Sequence, residues 1–294
     1  MIEMKDFFRY TGKVCVVTGS SNGMGLATAR MLVELGARVY ALSRSETKVD
    51  GLTASILCDL TKKDDIDRAF AQLPERIDCF FGVAGLSGAK TDYVTTFNCD
   101  FTANKYITLK YLVNRMDAGS SITYVASTAG QAWQVFMGEQ NEVVHAEGWE
   151  GTVAALGDIP ELAPSNFAYM FAKRCICQFA AEQAVELGKR GIRVNTVMPG
   201  STQSGMKDEF EMLAGGKEAL LAETGAAHRL ASPEEMAGPI VFLGSEFCSF
   251  VSGVDFAVDF ADTAMKRLGL KEERTNIPMT DRDMLRMIRA AMNG

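Results

Sequence analysis

Tyr169 and Lys173 stand four positions apart in Tyr169-Met170-Phe171-Ala172-Lys173, a spacing that places a phenol and an ammonium on one face of a helix. A tyrosine with its ordinary pKa of about 10 exchanges protons poorly at neutral pH, but an adjacent cation favours the phenolate and should draw that value down. The pair is therefore a candidate acid–base device with Tyr169 as the proton carrier. Taken alone, such a pair is common on amphipathic helices and reads far more often as structural. A second feature is Thr18-Gly19-Ser20-Ser21-Asn22-Gly23-Met24-Gly25. Its glycines permit a tight turn and let backbone N–H groups and a helix N-terminus approach an anionic pyrophosphate. A lone glycine run is also compatible with a plain turn, and only a strand before it and a helix after it give it meaning.

The surrounding chain supplies that context. Short apolar, β-branched runs alternate with segments of helical period: Val14–Val17, Val39–Leu42, Ser55–Leu57, Cys79–Val83, Ile122–Val125, Arg193–Val197 and Phe256–Val258. Between the first two, Ala29, Leu32, Val33 and Gly36 recur at i, i+3, i+4 and i+7, the packing face of a helix. The pattern predicts a doubly wound α/β fold, a seven-stranded parallel sheet with helices on both faces. Two stretches break the rhythm. Residues 131–165 hold Trp133, Phe136, Met137 and Trp149 and end in Pro160 and Pro164; they read as an inserted lid or interface element. From Ala261 a charged tail follows, in which Met284, Met287, Ile288 and Ala291 keep the spacing of an amphipathic helix.

Composition excludes several function classes. The 294 residues carry a formal net charge of −7 with charges interspersed, which offers no basic footprint for nucleic acid or an anionic membrane. Lys5, Asp6 and Arg9 interrupt the first twelve residues, and no apolar run elsewhere reaches a membrane-spanning length, so a cytoplasmic location is expected. Seven cysteines, scattered without paired spacing, read as reduced small hydrophobes. Cys175 and Cys177 fall on different faces of one helix, and with His145 and His228 as the only histidines no metal site is expected.

In their order along the chain these motifs resemble those of the short-chain dehydrogenase/reductase family, over about Gly12 to Asp259. The Gly19-x-x-x-Gly23-x-Gly25 spacing preceded by Thr18 is the family's form of the glycine turn, with Gly19, Ser21, Asn22, Gly23 and Met24 expected on the cofactor. Asp59-Leu60 resembles the adenine-contacting pair. Gly82-Val83-Ala84-Gly85 stands where the family usually has Asn-Asn-Ala-Gly; that departure weakens a structural hydrogen bond beneath the cofactor but keeps Ala84 and Gly85 small. Val125-Ala126-Ser127-Thr128-Ala129-Gly130 resembles the serine motif, with Ser127 implied as hydrogen-bond donor to the substrate oxygen. Asn98 occupies the place of the asparagine that holds a water linking Lys173 to bulk solvent, while Pro199, Gly200 and Thr202 fall in the segment facing the nicotinamide, where Ser204 replaces the usual threonine. The resemblance implies a Rossmann-type domain over residues 1–260, a C-terminal extension over 261–294, a homodimer or homotetramer, and hydride transfer between a nicotinamide and a small-molecule ketone or secondary alcohol. Tyr169, Lys173, Ser127 and Asn98 are the implied catalytic set.

Cofactor and substrate preferences follow from local differences. The second strand ends Ala41-Leu42-Ser43-Arg44, with a small neutral residue where a carboxylate would select NAD(H) and a guanidinium able to pair with a 2′-phosphate. NADP(H) is therefore expected, with NAD(H) as the alternative if Arg44 is merely an exposed loop residue. The interval from Ser127 to Tyr169 is 42 positions (169 − 127), and its extra length beside the active site resembles the bacterial 3α-hydroxysteroid dehydrogenase/carbonyl reductase branch. Trp133 and Trp149 would suit a flat polycyclic substrate, or form a small core of the insertion itself. An isoflavanone-type ketone is the second substrate class. An acyl-carrier-protein ketoreductase fits the acidic charge poorly, and a non-catalytic NADP(H) sensor fits poorly with intact Ser127, Tyr169 and Lys173.

Overall fold

The computed structural model describes residues 7–157 and 167–271; Pro160, Pro164 and the helix expected around Met284 lie outside the described residues. Seven strands form one parallel sheet in the order β3-β2-β1-β4-β5-β6-β7. They are β1 Val14–Thr18, β2 Arg38–Ser43, β3 Ala54–Leu57, β4 Cys79–Gly82, β5 Ser121–Val125, β6 Arg193–Pro199 and β7 Asp255–Val258. The central strands β1, β4, β5 and β6 are buried along their whole length because helices cover both faces. The edge strands behave differently: Leu57 on β3 and Phe256 on β7 are exposed, since among the described residues no further strand or helix covers them.

Strand order reverses between β1 and β4, and that switch opens a crevice at the carboxyl ends of the strands. Helix α1, Gly23–Glu34, leaves β1 at this point with Asn22 as its N-cap, the Asn22 carboxamide oxygen accepting from the Gly23 N–H at 2.6 Å. Helix α2 is Lys63–Phe70, and α3 is a long helical segment over residues 93–115 that widens into π turns at Asn98–Thr102 and Thr108–Leu112.

The described part of the inserted region, residues 131–157, is largely helical. Residues 137–155 form two helices, α4 Met137–Val144 and α5 Gly148–Ala155, ahead of the long α6, Phe167–Gly188. Val143, Val144, Trp149 and Leu156 join the main hydrophobic core with α3 and α6. Lys105 of α3 clasps the pair: its ammonium donates to the Val143 carbonyl (3.1 Å), the Ala146 carbonyl (2.5 Å) and the Thr152 hydroxyl (2.9 Å). Burial holds this lysine down to a pKa of about 8. Beyond β6 come α7 Lys207–Ala214 and α8 Lys217–Ala222, then α9 Pro233–Gly244 with a capping box between Ser232 and Glu235, and finally α10 Asp262–Arg267.

Candidate active site

The glycine turn after β1 forms the floor of a groove at the switch point. Gly19 has φ +69°, and a Cβ there would come within 2.6 Å of the Ala84 Cα, so only glycine lets the turn lie against the end of β4. The bond expected to weaken without the family's asparagines has a substitute: the Thr18 hydroxyl accepts the N–H groups of Val83 at 3.1 Å and Ala84 at 3.3 Å. Gly19, Ser21, Asn22, Gly23, Met24, Ser43, Arg44, Asp59, Leu60, Ala84 and Gly85 all border this one groove of about 460 Å³. Ser43 Oγ donates to Ser21 Oγ at 2.7 Å, which joins the end of β2 to the turn, and exposed Arg44 stands on the rim. Asp59 is occupied in its own loop, accepting from the Thr61 N–H and hydroxyl. Bare backbone at a helix N-terminus, a small-residue floor and a cation at the rim fit a dinucleotide phosphate chain.

A second cavity of about 300 Å³ adjoins the groove, and Met24, Ser204 and Met206 border both. Ser127 sits at the end of β5 as the cap of a short turn, accepting from the Ala129 N–H at 3.2 Å. Tyr169 comes up beside it from α6, and Pro199, Gly200 and Thr202 line the same cavity from the end of β6. Ser127 and the Tyr169 phenol line the cavity side by side, and Ser127 favours the phenolate. Lys173, one turn along α6, holds its Nζ 5.3 Å from the centre of the tyrosine ring and donates to the Val125 carbonyl at 3.0 Å. The expectation of a depressed Tyr169 pKa is corrected. Burial raises it first, Lys173 and then Ser127 oppose that, and the phenol still ends above its usual value, because a phenolate loses more hydration here than these neighbours return. Asn98 opens the first π turn of α3, buried and bordering neither cavity, with its Oδ1 lacking a hydrogen-bond partner among the described residues.

The tryptophans lie elsewhere. Neither borders the cavity. Trp149 packs edge-on against Tyr106 in the core, ring centres 5.7 Å apart, and the Trp133 indole N–H donates to Asp255 at 2.8 Å. Of the two readings open for them, substrate contact and packing of the insertion, this placement supports the second, since both side chains tie the insertion to the rest of the protein. Of the described part of the insertion, Gln131 and Ala132 border the cavity, while residues 200–224 enclose more of it, through Met206 at the N-cap of α7, Phe210 and Leu213 of α7 and Leu220 of α8. The Phe210 ring meets Tyr169 edge-on at 5.4 Å. Glu209 ties this cover to the loop after β4 through Ser87 and Lys90, the latter at 3.1 Å. The spacing of Met206, Phe210 and Leu213 is an amphipathic signal that could have marked this helix in the sequence. Met170 and Arg174, whose guanidinium stacks at 3.8 Å over Phe136, complete the wall and carried no comparable signal.

A family model described as Enoyl-(Acyl carrier protein) reductase matches residues 19–260. A coniferyl-alcohol dehydrogenase from Pseudomonas sp. is 32% identical over 250 residues, covering 85% of this chain and 96% of its own. A 2,5-dichloro-2,5-cyclohexadiene-1,4-diol dehydrogenase from Sphingobium indicum is 25% identical, covering 87% and 98%. Among solved structures, a dehydrogenase/reductase from Sinorhizobium meliloti shares the fold at TM-score 0.66 and 22% identity, covering 88% of this chain and 98% of its own. Fold and family together define an NAD(P)-dependent oxidoreductase that acts on a CH–OH group of a small molecule. The chain belongs to the short-chain dehydrogenase/reductase family. Among the described residues no helix is long and apolar enough to cross a membrane, and no cluster of metal-ligating side chains occurs.

Proposed function

We propose that this protein uses NADP(H) to interconvert a bulky, ring-bearing apolar alcohol and its carbonyl compound, a steroid-like or arylpropenyl substrate. The observation that carries the reading is the cavity in which the Ser127 hydroxyl and Tyr169 phenol share space with Met170, Phe210, Leu213 and Leu220. Its volume of about 300 Å³ suits a fused or substituted ring better than a short aliphatic alcohol. The names of two relatives, one acting on coniferyl alcohol and one on a cyclohexadienediol, support ring-bearing substrates. Ser127 orients the substrate oxygen by hydrogen bonding, and Tyr169 gives that oxygen a proton in reduction and removes one in oxidation. Lys173 keeps a positive charge against the phenol, and Asn98, on the π turn, is assigned to the proton path leading away from it. A nicotinamide held beside Pro199, Gly200 and Thr202 would supply or accept the hydride. Arg44 on the groove rim supports NADP(H), because a guanidinium pairs with the 2′-phosphate.

The test is kcat/KM for NADP⁺-linked oxidation of coniferyl alcohol, a 3α-hydroxysteroid and 2-propanol. At least one ring-bearing alcohol should exceed 2-propanol by two orders of magnitude or more, as expected when remote binding energy orients the reacting carbon. Equal values for all three would overturn the substrate class, and a preference for NAD⁺ would overturn the cofactor assignment.

A further inference from the structure

Asp100 is a buried carboxyl that the scheme above leaves without a task. It lies on the first π turn of α3, two residues after Asn98, and is 1% exposed. One oxygen accepts the Leu86 N–H at 2.8 Å; the other is buried with no hydrogen-bond partner among the described residues. Gly85 separates this carboxyl from the catalytic lysine. A Cβ at Gly85 would stand 3.0 Å from Asp100 Oδ1 and 3.5 Å from Lys173 Nζ, so the two charged groups face each other across the space that a missing side chain leaves open. In that low-dielectric setting opposite charges act strongly on one another. Burial first works against the Lys173 ammonium, yet the Asp100 carboxylate and then Tyr169 outweigh it, and Lys173 ends above its usual pKa. Burial pushes Asp100 itself up to about 6, against the pull of Lys173. The other titratable neighbours are Tyr169 and Cys177 on α6 and Cys99 on the same turn. Burial pushes both thiols up, and neither carries charge at neutral pH.

We propose that Asp100 is a positioning residue of the acid–base machinery: across the gap kept open by Gly85 it is the counter-charge that holds Lys173 as an ammonium, and so sets the pH range in which Tyr169 exchanges its proton. The proposal rests on the assignment of Tyr169 and Lys173 as the proton-transfer pair. It explains a buried half-satisfied carboxyl, which a purely structural role would not require. The carboxylate raises the pKa of Lys173, so its removal should lower the pH at which Lys173 gives up its charge, and with it the alkaline limb of the oxidation profile, the upper end of the range in which Tyr169 works beside a cation.

The experiment is the pH profile of kcat/KM for NADP⁺-linked coniferyl alcohol oxidation in wild type, Asp100→Asn and Tyr169→Phe, with melting temperatures and NADPH titrations on each. Asparagine keeps the acceptor for Leu86 and removes only the charge. The alkaline limb should move about one unit to lower pH in Asp100→Asn, the lower end of the effect of a nearby charge. An inflection near pH 6 should disappear, and the melting temperature above that pH should not fall. Gly85→Ala, which wedges a methyl group between the two charges, should shift the limb in the same direction with Asp100 intact, and it serves if Asp100→Asn does not fold. A profile superimposable on wild type, or a shift to higher pH, would overturn the proposal. If Tyr169→Phe retains activity the underlying assignment fails, whereas an inactive Tyr169→Phe beside an unmoved Asp100→Asn profile removes the role of Asp100 alone.

Discussion

Two regions flank the active site and use their apolar residues in opposite ways. Residues 131–157 turn Phe136, Val143, Val144, Trp149 and Leu156 into the protein and bind a buried lysine through two carbonyls and a hydroxyl. Residues 200–224 leave α7 with no fully buried side chain; Phe210 and Leu213 face the cavity, and Met212 is 60% exposed. Among the described residues, the inserted chain thus contributes more to packing than to covering the cavity, which it borders through Gln131 and Ala132. The region whose apolar face already has a partner serves as structure, and the one whose apolar face is unfilled is available to a substrate. A cover held by few buried contacts can also move as substrate enters and product leaves.

The largest effect expected lies beneath the cover. Tyr169→Phe keeps the ring that Phe210 packs against and removes only the proton, so kcat should fall by about 10²- to 10⁴-fold with melting temperature and NADPH affinity retained. A rate within tenfold of wild type would take Tyr169 out of the chemistry.

Next comes the clasp of the inserted region. Lys105→Met should leave the Val143 and Ala146 carbonyls without their donor and cost about 2 kcal/mol of stability, partly offset by no longer burying a charge. Denaturant unfolding measures the loss, and KM for coniferyl alcohol should stay within about twofold; a tenfold rise in KM would make the insertion a substrate wall after all.

Phe210→Ala should show the reverse pattern. Losing part of a half-buried ring costs about 1–2 kcal/mol of substrate binding, roughly a tenfold rise in KM, while the melting temperature changes little. A clear drop in stability with unchanged KM would erase the contrast between the regions. Arg44→Ala sharpens the cofactor side of the site: NADPH should weaken by about tenfold or more and NADH hardly at all, read by fluorescence titration. Smallest of all is the effect of Trp149→Phe on catalysis. A modest fall in melting temperature from the altered packing on Tyr106 is expected, with kcat and KM unchanged.

The sequence by itself determined what depends on neighbours along the chain. The seven strands were legible because apolar β-branched runs can satisfy their backbone and bury both faces only in a covered sheet, and their order with intervening helices dictates parallel pairing. The glycine turn and the Tyr169–Lys173 spacing were legible for the same reason, since each is set by a few consecutive φ/ψ values or by one helical turn. Distance in space was decided by tertiary structure alone. Asp100 meets Lys173 across Gly85 only because β4, α3 and α6 converge at one end of the sheet. Trp149 finds Tyr106 rather than a substrate because α5 docks on α3. The sign of the Tyr169 shift also depends on how much water the fold removes from a phenol whose cationic neighbour the sequence already named.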